Sequence, residues 1–321
     1  MWTALVLGLL VLSGLAGYGT WAVHAIAQGA SVWPFVIGLP LAYLAVPLAF
    51  TCLWFALAWV FRAERPDDIQ LTAAARLRLF VNEFWALAKS APRMIGYRFL
   101  MRDPDPAPSE LPVLLVHGVG CNAGVWSPFR RYLERKAIRP VYALSYGPPL
   151  ASIEHFAEQL AVKIDGVRKA TGSTQVVLVA HSMGGLISRA YLRRFGGTDI
   201  RRLITIGSPH QGSKHAYLMG GRGLSEMRPG SAWLTDLNRD GESTTAGVPV
   251  VSLWSWHDSM VTPQTSSLLE GAENIALTGI GHNALLNDPD VYERIAAEIK
   301  RAAGPTSEFP ASVAQMPSAR A

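Results

Sequence analysis

The ten residues Val176-Val-Leu-Val-Ala-His-Ser182-Met-Gly-Gly185 constrain this chain more than any other segment. Val176 to Val179 is an apolar run, three of its four residues Val, and reads as a buried strand. Two glycines follow, and then Leu186, Ile187, Ala190 and Tyr191 recur at helical spacing. The pattern predicts a strand, a sharp turn and a helix, with Ser182 at the apex in a strained backbone conformation. Ala180 and Gly184 are small enough to let strand and helix approach without a clash. The hydroxyl is then pushed clear of the sheet, beside a helix N-terminus. The plainer alternative is a Ser-Gly turn that merely ends a strand.

The neighbouring sequence repeats the alternation. Pro112 to Val116 reads as a strand ending in His117-Gly-Val-Gly120, and Asn122 to Lys136 as a helix with Trp126, Phe129 and Leu133 on one side. Pro140 to Tyr146 is the next strand. Ser152 is placed to cap a helix whose inward face is Ile153, Phe156, Leu160, Ile164 and Val167, and Gly172 to end it. Strands over Arg202 to Ile206 and Val248 to Trp254, and a last helix from Tyr292 to Ala302, complete the pattern. Strands alternating with helices at these lengths imply an α/β domain over 111–303, a mainly parallel sheet with helices on both faces. Ligands of such sheets bind at the carboxyl ends of the strands. Ser182, His117 and Asp258 all follow such ends.

A serine hydroxyl is a weak nucleophile until a base takes its proton, and the base is usually a histidine oriented by a carboxylate. Asp258, after the strand Val248 to Trp254, is the candidate acid; its bland reading is a loop aspartate capping a turn. Asp236 and Asp240 are rivals in a polar, irregular region. His282, in the glycine-rich Gly279-Ile-Gly-His282 before the final helix, is the candidate base. His181 should be aimed away from the nucleophile by the turn, His257 should point elsewhere, and His24 lies in an apolar stretch. Backbone N–H groups must face the oxyanion of a tetrahedral intermediate. Met183 at the start of the helix supplies one, and Val119 in the loop after the first strand is best placed for the other. His210 and His215 lack the carboxylate or cysteine cluster that a metal site needs. Gly118-Val-Gly120-Cys-Asn-Ala-Gly124 does not fit Gly-x-Gly-x-x-Gly, and no phosphate loop occurs. No cofactor or metal is required by this chemistry.

With Val116-His-Gly118, Ala180-His-Ser182-Met-Gly184, Ser208-Pro-His-Gln-Gly-Ser213, Asp258 and Gly281-His282, residues 111 to 302 resemble a bacterial lipase or esterase of the α/β-hydrolase fold. The order Ser, Asp, His is that of the fold. Ala180 stands where the common Gly-x-Ser-x-Gly form has its first glycine, as in some lipases. The resemblance implies hydrolysis of an acyl or lipid ester through an acyl-enzyme. Acyltransferase, thioesterase or amidase activity would use the same three residues, and a silent domain serving as a binding module is the non-enzymatic alternative. Ser208 to Ser213 should shape the pocket. Lys214 to Asp240, with Met219, Leu224, Met227, Trp233 and Leu234, resembles a cap, though these residues could equally be core.

Residues 1–61 contain no Lys, Arg, Asp or Glu. Trp2 to about Ile26 and Val32 to Phe61 are apolar stretches, each long enough to cross a bilayer as a helix. Trp21, Trp33, Trp54 and Trp59 fall near the expected interfaces, with Trp54 the deepest of them. A cleaved signal peptide would need a basic start and a shorter apolar run. Arg62, Arg65, Arg76, Arg78, Lys89, Arg93, Arg98 and Arg102 all follow the second stretch, which predicts a cytoplasmic domain and N-terminus. The segment 62–110 reads as an amphipathic helix from Leu71 to Lys89, with Leu77, Phe80, Val81, Phe84 and Leu87 apolar and Arg76, Arg78, Asn82, Glu83 and Lys89 polar. It would lie in the interface or pack on the domain, and the Pro-rich Asp103 to Ser109 would link it onward. The net charge of +5 comes without basic blocks interleaved with aromatics, so nucleic acid is not an expected partner. Cys52 lies in the apolar region and is not expected to pair with Cys121. Residues 304–321 read as a disordered tail.

Overall fold

The computed structural model describes residues 2–239 and 245–304. Two long apolar helices come first, α1 (Trp2–Ala27) and α2 (Trp33–Val60), then α3 (Ala73–Ile95) and the short α4 (Tyr97–Leu100). The α/β domain follows as β1 (Val113–Val116), α5 (Ser127–Arg135), β2 (Val141–Leu144), α6 (Ile153–Thr171), β3 (Val176–His181), α7 (Met183–Phe195) and β4 (Ile200–Ile206). Two short helices, α8 (Arg222–Glu226) and α9 (Ala232–Leu237), precede β5 (Val250–Ser255), β6 (Glu273–Leu277) and α10 (Pro289–Ala303). The expected disorder of 305–321 and the rival Asp240 lie outside the described residues.

The six strands form one sheet in the order β2-β1-β3-β4-β5-β6, every pair parallel. This is a parallel α/β sheet, as the strand–helix alternation implies. Both faces of the central strands are covered, which is why β3 is a continuous apolar run and does not alternate. Its Val176, Leu178 and Ala180 pack with Phe156, Leu160 and Ile164 of α6 and Leu186 and Ile187 of α7. Val177 and Val179 face the other way, toward Phe129 and Leu133 of α5 and Ile295 and Ile299 of α10. Each such fully buried aliphatic side chain contributes roughly 1.5–3 kcal/mol.

Local signals set the ends of the helices. Ser152 Oγ accepts from His155 N–H, and Gly172 ends α6 in the left-handed region at φ 70°. Asp288 caps α10 with Pro289 behind it, so this helix starts three residues before the expected Tyr292. Asn122 Oδ1 accepts from Gly124 N–H and opens a 3-10 turn (Ala123–Trp126), so the expected helix from Asn122 divides there. β6 is absent from the sequence-based expectation.

α1 and α2, 26 and 28 residues long, span about 39 and 42 Å at helical rise, more than a ~30 Å hydrocarbon core. Only 6% and 11% of their most apolar windows are buried, unlike the core helix of a soluble protein. Ala22, Pro47, Thr51, Trp54 and Ala58 are the buried residues of the two helices, and Trp54 lies against the His215 ring, 5.1 Å between centroids. The first turn of α1 also meets the α/β domain, where Thr3 Oγ1 donates to Cys121 O. α3 buries Leu79, Glu83, Ala86 and Met94, meets the domain through Glu83 and Met94, and leaves Leu77, Val81 and Trp85 exposed. Glu83 is therefore not on a solvated face as its helical position suggested. The segment expected as a linker lies along the domain, with Asp103 pairing with Lys163 and Ser109 N–H donating to Thr171 O.

Candidate active site

The candidate residues lie on the loops at the carboxyl edge of the sheet, and Asp258 and His282 are in contact there. Val116 is in register with Ala180, so the loops after β1 and β3 leave the sheet side by side, at the point where strand order reverses. Ser182 has φ 57° and ψ −127°, a conformation L-residues adopt only under constraint. The constraint is visible. Its N–H donates to Ile206 O at the end of β4, and α7 begins at Met183. A Cβ on Gly184 would lie 2.7 Å from Val116 O and 2.8 Å from His117 O, so only glycine lets this helix rise so close to β1.

Asp258 and His282 come from the loops after β5 and β6. His282 Nδ1–H donates to Asp258 Oδ2 at 2.8 Å, and both side chains are almost fully buried, 2% and 1% exposed. The other carboxylate oxygen accepts from the N–H groups of Met260 and Val261, both at 2.7 Å, which fixes the carboxylate plane. Burial pulls the His282 pKa down. The charge of Asp258, its hydrogen bond and the charge of Glu83 outweigh that and leave it above the ordinary value. With Nδ1 holding the proton toward Asp258, Nε2 is the basic edge. Among the described residues no hydrogen bond engages that edge or Ser182 Oγ, so the serine–histidine contact is not closed in this structure. Such contacts are commonly long before substrate binds.

Ser182 is 7% exposed. It lines a cavity of about 20 Å³ together with Val119, Met219, Leu224, Met227 and Met260. That volume admits about one water, against the roughly 300–1,000 Å³ of a small-molecule site. His215, Ala216, Met219, Leu224 and Met227 of this lining come from the segment after Lys214, the candidate cap, in which Leu224, Met227 and Leu234 also pack into the core with Phe156 and Leu186. The segment is tied to α6 by Ile153 N–H donating to Glu226 Oε2 and by Trp233 Nε1–H donating to Glu154. A wider groove of about 840 Å³ runs past Ser109, Glu110, Thr171 and Ser173 at the amino ends of the strands and holds none of these groups.

The other histidines have different partners. His181 Nε2–H donates to His282 O, with the two rings 4.6 Å apart, so it braces the loop carrying His282. Burial drives its pKa well down. His117 stacks on Tyr146 at 4.0 Å and is pushed down to about 4 by burial. The Tyr146 hydroxyl donates to His117 O and steadies the loop that carries Val119. His257 accepts from Gly279 N–H and turns away from Ser182's side of the loop. His24 pairs with Gln28 in α1. His210 Nε2 bonds Thr205 Oγ1, and His215 Nδ1–H donates to Met260 O. Asp236 pairs with Arg193 on the surface of α9, far from this chemistry. Sequence reasoning missed Arg189, fully buried in α7, whose Nη2–H groups donate to Leu237 O and Asn238 Oδ1 and tie the cap to the elbow helix.

Residues 113–317 match the alpha/beta hydrolase family. The chain belongs to that family. Triacylglycerol lipases of Pseudarthrobacter phenanthrenivorans and Burkholderia plantarii are each 44% identical to this chain over 117 residues. That is 34% of this chain and 36% and 32% of theirs, so the match spans about a third of the length of these curated relatives. Among solved structures, Aspergillus fumigatus lipase B superposes with a TM-score of 0.60 at 16% identity, covering 85% of this chain and 82% of that one. The mature form of Bacillus licheniformis lipase BlEst2 gives 0.52 at 17%, covering 62% and 95%. At these identities the likeness is one of fold.

Proposed function

We propose that this hydrolase cleaves carboxylic esters of acyl lipids with Ser182, His282 and Asp258 as a catalytic triad, and that α1 and α2 anchor it in a membrane. The observation that carries the reading is the 2.8 Å Asp258–His282 hydrogen bond, formed at the same sheet edge as a serine held at φ 57°. Ser182 Oγ attacks the ester carbonyl as His282 Nε2 takes its proton. Asp258 stabilises the imidazolium, and the N–H groups of Val119 and Met183 receive the oxyanion. His282 returns the proton to the leaving alcohol. Water, deprotonated by the same base, then releases the acid. The triacylglycerol lipase names of the partial relatives favour glycerol esters within this class.

The closed cavity requires the cap to shift before an ester of any size can enter. α2 runs from the apolar region to the cap, where Trp54 and Phe61 contact the His215 ring. Exposed Leu77, Val81 and Trp85 of α3 continue the apolar surface beside it. These contacts support a reading in which a bilayer lies next to the cap, a suitable source for acyl substrates.

Detergent-solubilised full-length protein should be labelled at Ser182 by a fluorophosphonate and should hydrolyse p-nitrophenyl butyrate and a triglyceride faster than matched thioesters or amides. Failure of a folded sample to label would reject the triad. Faster turnover of the thioester or amide would move the activity to the alternative class.

The basic residues after α2, and the contacts of both α1's start and α2's end with the domain, support a two-span hairpin with the domain on the cytoplasmic side. A C-terminal reporter active only outside the cytoplasm should be silent, and a cytoplasmic one active. The reverse pattern would overturn this topology.

A further inference from the structure

Glu83 lies in the middle of α3 and is 1% exposed. Its Oε1 accepts from Ser259 Oγ–H at 2.6 Å, Asn283 N–H at 3.0 Å and Asn283 Nδ2–H at 2.9 Å; Oε2 accepts from Ala284 N–H at 2.9 Å. Ser259 directly follows Asp258, and Asn283 directly follows His282. One carboxylate thus holds the loop after β5 to the loop after β6, one residue beyond each proposed triad member. The approach is close: a Cβ on Gly281 would lie 2.5 Å from Glu83 Oε2.

A buried carboxylate held only by neutral donors is a costly way to dock a helix, because its charge must be taken out of water without an opposite charge to offset the loss. Leu79 and Ala86, a turn to either side of Glu83, are buried without that penalty. The same helix also reaches the loop that carries Val119, where Asn122 Nδ2–H donates to Met94 O. Its Arg93 donates to Asn287, beyond the His282 loop, at 2.6 Å.

We propose that Glu83 is a positioning residue: the carboxylate of the juxtamembrane helix sets the spacing of the Asp258 and His282 loops and keeps the imidazole aligned with Ser182. This rests on the triad reading. It makes α3 part of the active site, so that the membrane-proximal segment and the reaction centre share one hydrogen-bond network.

The charged and titratable groups facing His282 are Asp258 from the β5 loop, Glu83 from α3, the His181 ring from the end of β3 and His215 from the cap. Glu83 is on the side of the balance that favours the imidazolium. Glu83→Gln removes that charge and sets an amide N–H against donors. The acid limb of kcat/KM, which reports His282 losing its proton, should move to lower pH.

The test is steady-state kinetics of full-length protein on p-nitrophenyl butyrate across pH, with fluorophosphonate labelling and thermal unfolding alongside. E83Q is expected to lower kcat about 10–100-fold, the scale set by a misplaced catalytic group. KM should stay within about twofold, because Glu83 does not line the cavity. Labelling should slow in proportion and the acid limb should shift downward. Glu83→Asp keeps the charge and should restore the limb while recovering only part of kcat. Ser259→Ala and Asn283→Ala each remove one donor and should lower kcat about 3–10-fold; they carry the test if E83Q does not fold. Wild-type kcat and limb in a folded E83Q, or in both donor variants, would overturn the proposal. Labelling of Ser182→Ala at the wild-type rate would instead sink the triad, so the two failures are distinguishable.

Discussion

Ser182→Ala is expected to reduce ester turnover by on the order of 10⁵-fold and to abolish fluorophosphonate labelling, with the protein still folded. The size follows from the role: without the nucleophile, what remains is binding and oxyanion stabilisation, which sustain only a small residue of the rate. The fold should survive because Ser182 Oγ makes no hydrogen bond among the described residues, and the elbow is fixed by the Ser182 N–H to Ile206 O bond and by Gly184. Alanine at φ 57° keeps the backbone strain. Ser182→Gly relieves it. Strain of this kind costs about 1–3 kcal/mol, against about 0.5–1 kcal/mol for glycine's extra freedom in the unfolded chain. S182G should therefore be as inactive as S182A and more stable by about 1 kcal/mol, a rise of roughly 2–4 °C in midpoint. Calorimetry of the three proteins with a turnover assay checks both halves. A lower midpoint for S182G would mean the elbow is not strained, and wild-type turnover by S182A would remove Ser182 from the chemistry.

The elbow was legible because few arrangements satisfy a strand of Val and Leu that runs into Ser-Met-Gly-Gly. The helix can follow the strand so closely only where side chains are missing, and the sequence shows where they are missing. The sheet was legible for a related reason, since strands covered on both faces are apolar at every position. β6 was not. It is the edge strand, and Glu273, Asn274 and Ala276 are exposed, so it has neither an apolar run nor clean alternation. The Met and Leu content of the segment after Lys214 fits a cap and a core alike, and its tie to Arg189 is not legible in sequence, because the burial of Arg189 inside α7 depends on a partner 49 residues away. Glu83 was misread for the same reason. A helical period reports the polarity of the helix's own faces, and the groups that satisfy Glu83 lie about 200 positions further along the chain. Trp54 likewise reads as a membrane tryptophan until the cap's His215 is beside it.

Asp258→Asn should separate orientation from charge at the base. Asp258 Oδ1 accepts two backbone N–H groups, from Met260 and Val261. Asparagine would turn its carbonyl oxygen toward those donors, since the reverse would set its NH₂ against two N–H groups. The NH₂ then faces His282 Nδ1, which must accept, and the ring proton moves to Nε2. That edge now donates toward Ser182 and cannot take the hydroxyl proton. Loss of the wrong-tautomer kind is expected to reach about 10³–10⁴-fold in kcat, with KM little changed. The pH dependence has a definite sign. Wild-type His282 titrates above the ordinary histidine value because Asp258 and Glu83 outweigh burial, so activity should fall as pH drops through that raised pKa. In D258N the largest favourable contribution is gone while burial remains, so the residual activity should keep its plateau to lower pH than wild type. Asp258→Ala would leave the two backbone N–H groups and the imidazole without a partner and should lose stability as well as rate. A D258N enzyme with wild-type kcat and an unmoved acid limb would show that the 2.8 Å hydrogen bond does not orient the base, and would leave His282 without the acid this account gives it.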